Sequence, residues 1–350
     1  MIAPRQTFRL PRRVLIVKPS ALGDVVTAVP VLRGLRRTFP EAHIAWLLST
    51  GCADLLKADE DLDEVILFDR QGLGRIHRPA GAARGLTRLL RALWKGNFDW
   101  VLDLQGLLRS GLLSILTQAP LRAGFADARE AAGVFYTHHI QVRPRHTIDR
   151  NIALARRLGI DARAEDLTLR VAPEGESFAE EFCRGRGLPR GGFLACVPPT
   201  RWATKRYPIR HWRKVLTSLA AEIPVVLLGS PGDRELCQTI AAGMGPDVAD
   251  LTGRTSIPQM VALIAASAGV LCSDSAAKFI APAVGVEAIT LIGPTRVERT
   301  GPYRGGRAIV ADVACRGCLK RHCRHMTCMQ VIDPDDVISA ARQMLSRRRG

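Results

Sequence analysis

Apolar and polar positions along this chain follow two periods, and the periods take turns. Val14-Leu-Ile-Val17 is a short, uninterrupted, largely β-branched run of the kind a strand buried on both faces requires. Val26, Val29, Leu32 and Leu35 then recur at helical spacing and predict a helix over residues 25–37. Residues 43–48, 65–68 and 100–104 read as further strands. Between the last two lies an arginine-rich stretch, 70–91, that opens as a Gly-containing loop and ends as a helix. Residues 146–158 form an amphipathic helix that closes this half. The stretch 171–192 then gathers Pro173, Gly175, Pro189, Gly191 and Gly192 around one helix, which is how a linker reads.

After it the alternation restarts. Strands are expected at 193–197, 224–228, 269–272 and 288–292, and helices near 209–221, 234–243, 257–266, 276–284 and 334–345. Strand and helix taking turns at this interval argue for parallel sheets covered by helices. The expected fold is therefore α/β: two doubly wound, Rossmann-like domains facing across a cleft, with ligands at the carboxyl ends of the strands. The expected bounds are 1–172, a linker region at 173–192, and 193–350. A length of 350 residues fits two such domains.

Composition sharpens this picture in two places. With 47% hydrophobic and 24% charged residues the chain can bury a core, and no run approaches a membrane span. The short basic N-terminus shows no small-residue cleavage site, so a cytosolic protein is expected. The formal net charge is +17, carried almost wholly by arginine because only seven lysines are present. Such a surface suits phosphate, carboxylate or anionic lipid, although arginines on a solvated surface read the same way. Nucleic acid is not an expected partner. Aromatics are 5% of the chain, no recognised module occurs, and the arginines are spread over both halves. The chain has no G-x-G-x-x-G after the first strand, no P-loop, no G-x-S-x-G elbow and no H-E-x-x-H helix.

The first strand runs into Lys18-Pro-Ser-Ala-Leu-Gly-Asp24. Gly23 permits a tight bend that displays Asp24 at the open end of the sheet. A carboxylate there either acts as general base on an incoming hydroxyl or complements the helix dipole. A second constellation is Cys315, Cys318, Cys323 and Cys328, with His322 and His325 interleaved. Its spacing accommodates tetrahedral Zn²⁺, an iron–sulfur cluster, reduced thiols or disulfides. Cys52, Cys183, Cys196, Cys237 and Cys272 read as core residues.

The string from Val14 through Asp24 to Leu32 resembles the opening of glycosyltransferase family 9, the lipopolysaccharide heptosyltransferases. Further similar segments follow in order. They include Phe98-Asp-Trp-Val-Leu-Asp-Leu-Gln-Gly-Leu-Leu-Arg-Ser110, Arg122-Ala-Gly-Phe125 and His146-Thr-Ile-Asp-Arg150. Beyond them come Thr204-Lys-Arg-Tyr-Pro208, Leu228-Gly-Ser-Pro-Gly-Asp233, Ser273-Asp-Ser275 and Gly293-Pro-Thr295. The resemblance implies the GT-B fold, with an acceptor-binding N-terminal and a nucleotide-sugar-binding C-terminal domain. It implies an inverting, metal-independent transfer of a heptose or related sugar from an ADP-activated donor to a lipopolysaccharide core acceptor. Asp24 then matches the catalytic base, and Lys205 the lysine that meets the donor diphosphate. Thr200 matches a hydroxyl near the same phosphates and Asp233 an acid facing the ribose, both of them positions that also suit capping residues.

The family's Asp-[Ser/Thr]-Gly-x-x-His segment stands here as Asp274-Ser275-Ala276-Ala277-Lys278-Phe279, with Ala for Gly and Phe for His. Lys278 is expected to restore the missing positive charge at the donor. The changed segment also admits a second reading, a non-catalytic nucleotide-sugar-binding protein of the same fold. Arg70, Arg75, Arg78, Arg122 and Arg150 are the expected acceptor contacts. The cysteine cluster is expected to serve the fold, with structural zinc as one of its forms. The implied place of work is the inner face of the cytoplasmic membrane, with the basic tail 347–349 and Arg342 helping to dock the chain on anionic lipid.

Overall fold

A computed structural model describes residues 9–69 and 79–349. Six strands form the first sheet: β1 (Arg13–Val17), β2 (His43–Ser49), β3 (Glu64–Phe68), β4 (Trp100–Asp103), β5 (Leu121–Phe125) and β6 (His138–Ile140). Their order is β3-β2-β1-β4-β5-β6. The second sheet holds β7 (Leu194–Val197), β8 (Val225–Leu227), β9 (Val248–Asp250), β10 (Gly269–Ser273), β11 (Ala288–Ile292) and β12 (Gly306–Val310). Its order is β12-β11-β10-β7-β8-β9, so both sheets wind the same way. The strand pairs of both sheets are parallel. In each sheet the winding reverses between two central strands, β1 and β4 or β7 and β10, and that switch point is where a doubly wound sheet leaves room for a ligand.

The central strands are buried on both faces, as their unbroken apolar runs require: Val14 to Val17 and Val270 to Cys272 are fully buried. One face of the first sheet is sealed by Leu89 and Leu93 of the helix Pro79–Lys95 and by Leu113 of the helix Leu108–Ile115. The corresponding core of the second unit gathers Trp212, Leu216, Leu271, Leu291 and Met344.

Three expectations change here. The helix read over 25–37 is two helices, Leu22–Val26 and Val29–Thr38. Pro30, in the first turn of the second, has no N–H to continue the first helical ladder. The residues read as a linker, 173–192, hold the helix Pro173–Gly185, whose Gly175 sits so close to the Pro258 carbonyl that an added Cβ would lie 2.4 Å from it. That helix is part of the second unit, and the chain divides between Leu167 and Thr168. Strands β5, β6, β9 and β12 were not foreseen. Three are sheet-edge strands with polar or exposed positions, and β5 is interrupted by Arg122. Arg70, Arg75 and Arg78 lie outside the described residues.

Candidate active site

In the first unit the expected base follows β1 directly. Asp24 is half-buried in the opening turn of Leu22–Val26, and its Oδ2 accepts the Ala21 amide at 3.0 Å. The helix-dipole reading and the base reading thus share one carboxylate, with the second oxygen left for other work. Lys18, at the end of the same strand, is buried and donates from Nζ to the Leu104 carbonyl at 2.5 Å. Burial pushes its ammonium below the usual range against the opposing pull of Asp24 and Asp103, while Arg129 and Arg150 add to the downward push. Across the switch point, Asp103 at the end of β4 is fully buried. It accepts the Tyr136 hydroxyl at 2.6 Å and the amides of Gln105 and Gly106 at 2.9 and 3.1 Å. Burial nevertheless leaves its carboxyl above the ordinary value. Gly106 makes this turn with φ +65°, a conformation that favours glycine. Gln105 Oε1 is buried without a hydrogen-bond partner.

In the second unit the ends of β7 and β10 meet around one carboxylate. Asp274 is 4% exposed and is held by two lysines. Lys205 Nζ lies 2.8 Å from its Oδ2, and Lys278 pairs with its Oδ1. Thr295 Oγ1 donates to Oδ2 at 2.5 Å, and Thr200 Oγ1 donates to the Asp274 main-chain carbonyl at 3.1 Å. Burial raises the Asp274 carboxyl, but Lys278 and Lys205 outweigh it and hold it below the usual carboxylate range. Two ammonium groups against one carboxylate leave the group with one net positive charge, which suits an anionic ligand. Beside it, the Ser275 hydroxyl oxygen is buried with no hydrogen-bond partner, a donor free for a ligand atom. Lys205 also sits 4.5 Å from the Trp202 ring centroid, and Arg321 lies 4.8 Å from the same ring.

Residues 86–329 match glycosyltransferase family 9 (heptosyltransferase). The chain belongs to glycosyltransferase family 9. It is 29% identical over 326 residues to lipopolysaccharide heptosyltransferase 1 of Pseudomonas aeruginosa, covering 89% of this chain and 88% of that one. Among solved structures it is similar to the family 9 glycosyl transferase of Veillonella parvula, with a TM-score of 0.78 at 22% identity over 96% of this chain and 97% of that one. It is also similar to the E. coli heptosyltransferase WaaC, solved with ADP, with a TM-score of 0.75 at 22% identity over 96% and 99% of the two chains. A second structure of that enzyme holds ADP-2-deoxy-2-fluoro heptose (TM-score 0.72, 23% identity, 96% and 99% coverage). These likenesses give the GT-B fold, and the family makes this chain a glycosyltransferase.

The remaining expected residues of this family 9 enzyme fall in several places. The two departures from the family's segment are accommodated in the fold. Ala276 has φ −63°, so no left-handed backbone is demanded there, and Phe279 is buried in the core. Lys278 is itself only 3% exposed, and its charge is directed at Asp274, not at open space. Asp233 turns its Oδ2 back on its own loop, accepting from the Ser230 amide at 2.9 Å and the Ser230 hydroxyl at 2.5 Å. Arg122 donates to the carbonyls of Phe135 and Ala119 at 2.8 and 2.6 Å, which ties the β5–β6 connection together. Arg150 pairs with Asp127 at 2.6 Å and stacks 4.8 Å from the Phe125 ring. Sequence reasoning missed Lys18, Asp103, Tyr136, Trp202 and Thr295 as members of these groups. Lys18, Asp103 and Thr295 stand inside motifs already singled out, and polar residues bounding apolar strands were the signal.

The five cysteines read as core are buried and outside any disulfide, and burial pushes Cys237 up to about 11 and Cys272 up to about 12. Cys315, Cys318, Cys323 and Cys328 are also outside any disulfide and jointly line a cavity of about 40 Å³ together with Thr204 and Pro294. Among the described residues no three His, Cys, Asp or Glu side chains are grouped as a metal ion would need. The segment reaches the Lys205 loop through Thr204, whose hydroxyl donates to the Lys320 carbonyl at 3.0 Å. A larger cavity of about 290 Å³ opens beside the helix Pro173–Gly185 and includes none of the expected site residues. Among the described residues no helix is long and apolar enough to cross a membrane.

Proposed function

We propose that this chain is an inverting heptosyltransferase, moving a heptose from ADP-heptose onto the core region of a lipopolysaccharide precursor at the inner face of the cytoplasmic membrane. The observation that carries the reading is the charge group at the ends of β7 and β10. Lys205 and Lys278 share the buried Asp274, next to an unpartnered Ser275 hydroxyl. A leaving ADP gains negative charge as its bond to the anomeric carbon breaks, and a fixed cation with a free hydroxyl stabilises that charge. In the same reading the acceptor hydroxyl gives its proton to Asp24 while its oxygen attacks the anomeric carbon from the face opposite the diphosphate. One C–O bond forms as the other breaks, and the configuration inverts. Each unit supplies one half of the chemistry: Asp24 serves the acceptor, and Lys205, Ser275, Thr200 and Asp233 serve the donor. Arg150 and Arg122 belong to the acceptor side.

No step needs a metal ion when lysine and hydroxyl groups meet the diphosphate. Structural zinc is a separate part of the proposal. Four thiols lining one small cavity are the donor set of a tetrahedral site, and drawing them together would brace the 315–328 segment under the Lys205 loop. Metal analysis of the purified protein, before and after a chelator, decides that point.

The test of the main reading is a transfer assay with ADP-heptose and a heptose-free core acceptor, run beside thermal melts with ADP. Asp24→Asn keeps an oxygen for the Ala21 amide and is expected to lower kcat by ~10²–10⁴-fold while ADP still stabilises the protein. Lys205→Ala is expected to lose the stabilisation by ADP. An Asp24→Asn enzyme at full rate overturns the base assignment, and a wild-type protein indifferent to ADP overturns the donor.

A further inference from the structure

Two arginines of the C-terminal helix already have partners within the chain. Arg342 pairs with Glu222 and Arg347 with Glu287, each at 2.5 Å, so these two charges are partly met within the chain before any lipid is reached. A different surface carries both exposed apolar groups and exposed cations. The helices Pro79–Lys95 and Leu108–Ile115 cover the same face of the first sheet, where Leu89, Leu93 and Leu113 share a core with Leu15, Leu47 and Val101. Both helices also carry large apolar side chains away from it. Trp94 is 60% exposed, with Leu86 at 39% and Leu90 at 37%, and Leu108, Leu112 and Ile115 all exceed 40%.

These positions are stripes, not scatter. At ~100° per residue, Leu86, Leu90 and Trp94 line up next to the buried Leu89 and Leu93, so the apolar arc is wider than the sheet can cover. Exposed Arg88, Arg91 and Lys95 form the adjoining stripe. Leu108, Leu112 and Ile115 align in the same manner on the second helix, with exposed Arg109 beside them. No Asp or Glu occurs in residues 79–98 or 104–126. The acid at the margin, Glu130, accepts the Leu108 amide at 3.3 Å.

We infer that this layer is a docking surface for an anionic bilayer, in which Trp94 and the leucines enter the headgroup–acyl boundary while Arg88, Arg91, Lys95 and Arg109 meet lipid phosphates. The charge pattern selects this occupant over a second copy of the chain. Self-association would set these cations against their own copies, with no acid on either helix to pair with them. A lipid surface also serves the proposed function, on which its purpose rests, because a lipid-anchored acceptor is then presented at the plane where the enzyme sits.

The experiment is co-flotation of the full chain with vesicles of phosphatidylcholine alone, or with about one-third phosphatidylglycerol added. Wild type is expected to float with the anionic vesicles and not with the neutral ones. The double variant Leu90→Glu, Trp94→Glu is expected to float roughly tenfold less. Arg88→Gln, Arg91→Gln is expected to fall between, and Arg347→Gln to match wild type. All are exposed positions, so melting temperatures and transfer to an acyl-free acceptor are expected to stay at the wild-type level. Equal flotation of wild type and the Leu90→Glu, Trp94→Glu variant overturns the inference. So does a concentration-dependent dimer, abolished by that variant, in a protein that ignores vesicles. Failure of wild type to transfer heptose while it still floats counts against the proposed function and leaves the docking surface standing.

Discussion

Removing one ammonium from the buried charge group tests the reasoning about the donor half most directly. Lys278→Met keeps an unbranched side chain in a buried slot and deletes only the charge. Asp274 then keeps Lys205 and Thr295, but it loses the lysine that does most to hold it ionised against burial. Removing one partner of a buried pair costs ~3–5 kcal/mol, and with two partners left the lower end, ~3 kcal/mol, is expected. Urea unfolding reads this as a midpoint lower by ~1–3 M at the usual ~1–3 kcal/mol/M. Adding Asp274→Asn removes the stranded charge, so the double variant should be less destabilised than the two single variants predict together.

The pH dependence follows with a definite sign. The Asp274 carboxyl sits below its ordinary 3.8 in the folded protein, so its contribution is fully present above that value and is lost as the pH falls through the folded one. Lys278→Met raises the folded value and should shrink that acid-sensitive contribution. A variant that loses less than ~1 kcal/mol, or single effects that simply add in the double variant, would refute the coupled network.

Other outcomes follow from close packing and burial. Gly293→Ala places a Cβ 2.5 Å from Met329 Sδ and 2.9 Å from Cys328 Sγ, and should cost ~1–3 kcal/mol in chemical denaturation. Alkylation by iodoacetamide at pH 8, followed by peptide mass spectrometry, should label exposed Cys318 first and leave Cys196 and Cys272 unlabelled in the folded protein, because burial keeps their thiols protonated. Labelling of Cys272 at a rate near that of Cys318 would contradict the described core.

The central strands were legible because a parallel sheet covered on both faces writes itself as an unbroken apolar run, as in Val14–Val17 and Val270–Cys272. Edge strands such as His138–Ile140 and Gly306–Val310 carry no such run, since one side of each faces solvent or a single neighbour. Motif order placed Asp24, Thr200, Lys205 and Asp274 at the ends of β1, β7 and β10, because turns after central strands are where short polar strings interrupt apolar ones. What the side chains do there was not legible. Spacing alone shows neither that Lys278 turns inward to Asp274 nor that Arg122 closes on two carbonyls, since both depend on residues more distant in sequence or on a helix turn's exact direction. Pro173–Gly185 misled for a related reason. Its turn-forming residues suggested freedom, while the surface it packs on lies some eighty residues further along the chain.

The Trp202 indole has a consequence for timing. With Lys205 on it, Arg321 against it and Asp274 gripping the Lys205 ammonium, the lysine is immobilised when the chain folds and not when a ligand arrives. A free lysine side chain forfeits up to ~2 kcal/mol of rotational freedom on being fixed. Folding has already absorbed that loss here, so under the proposed function each encounter with a diphosphate would begin with the cation in place, and affinity would gain what immobilisation would otherwise have taken from it.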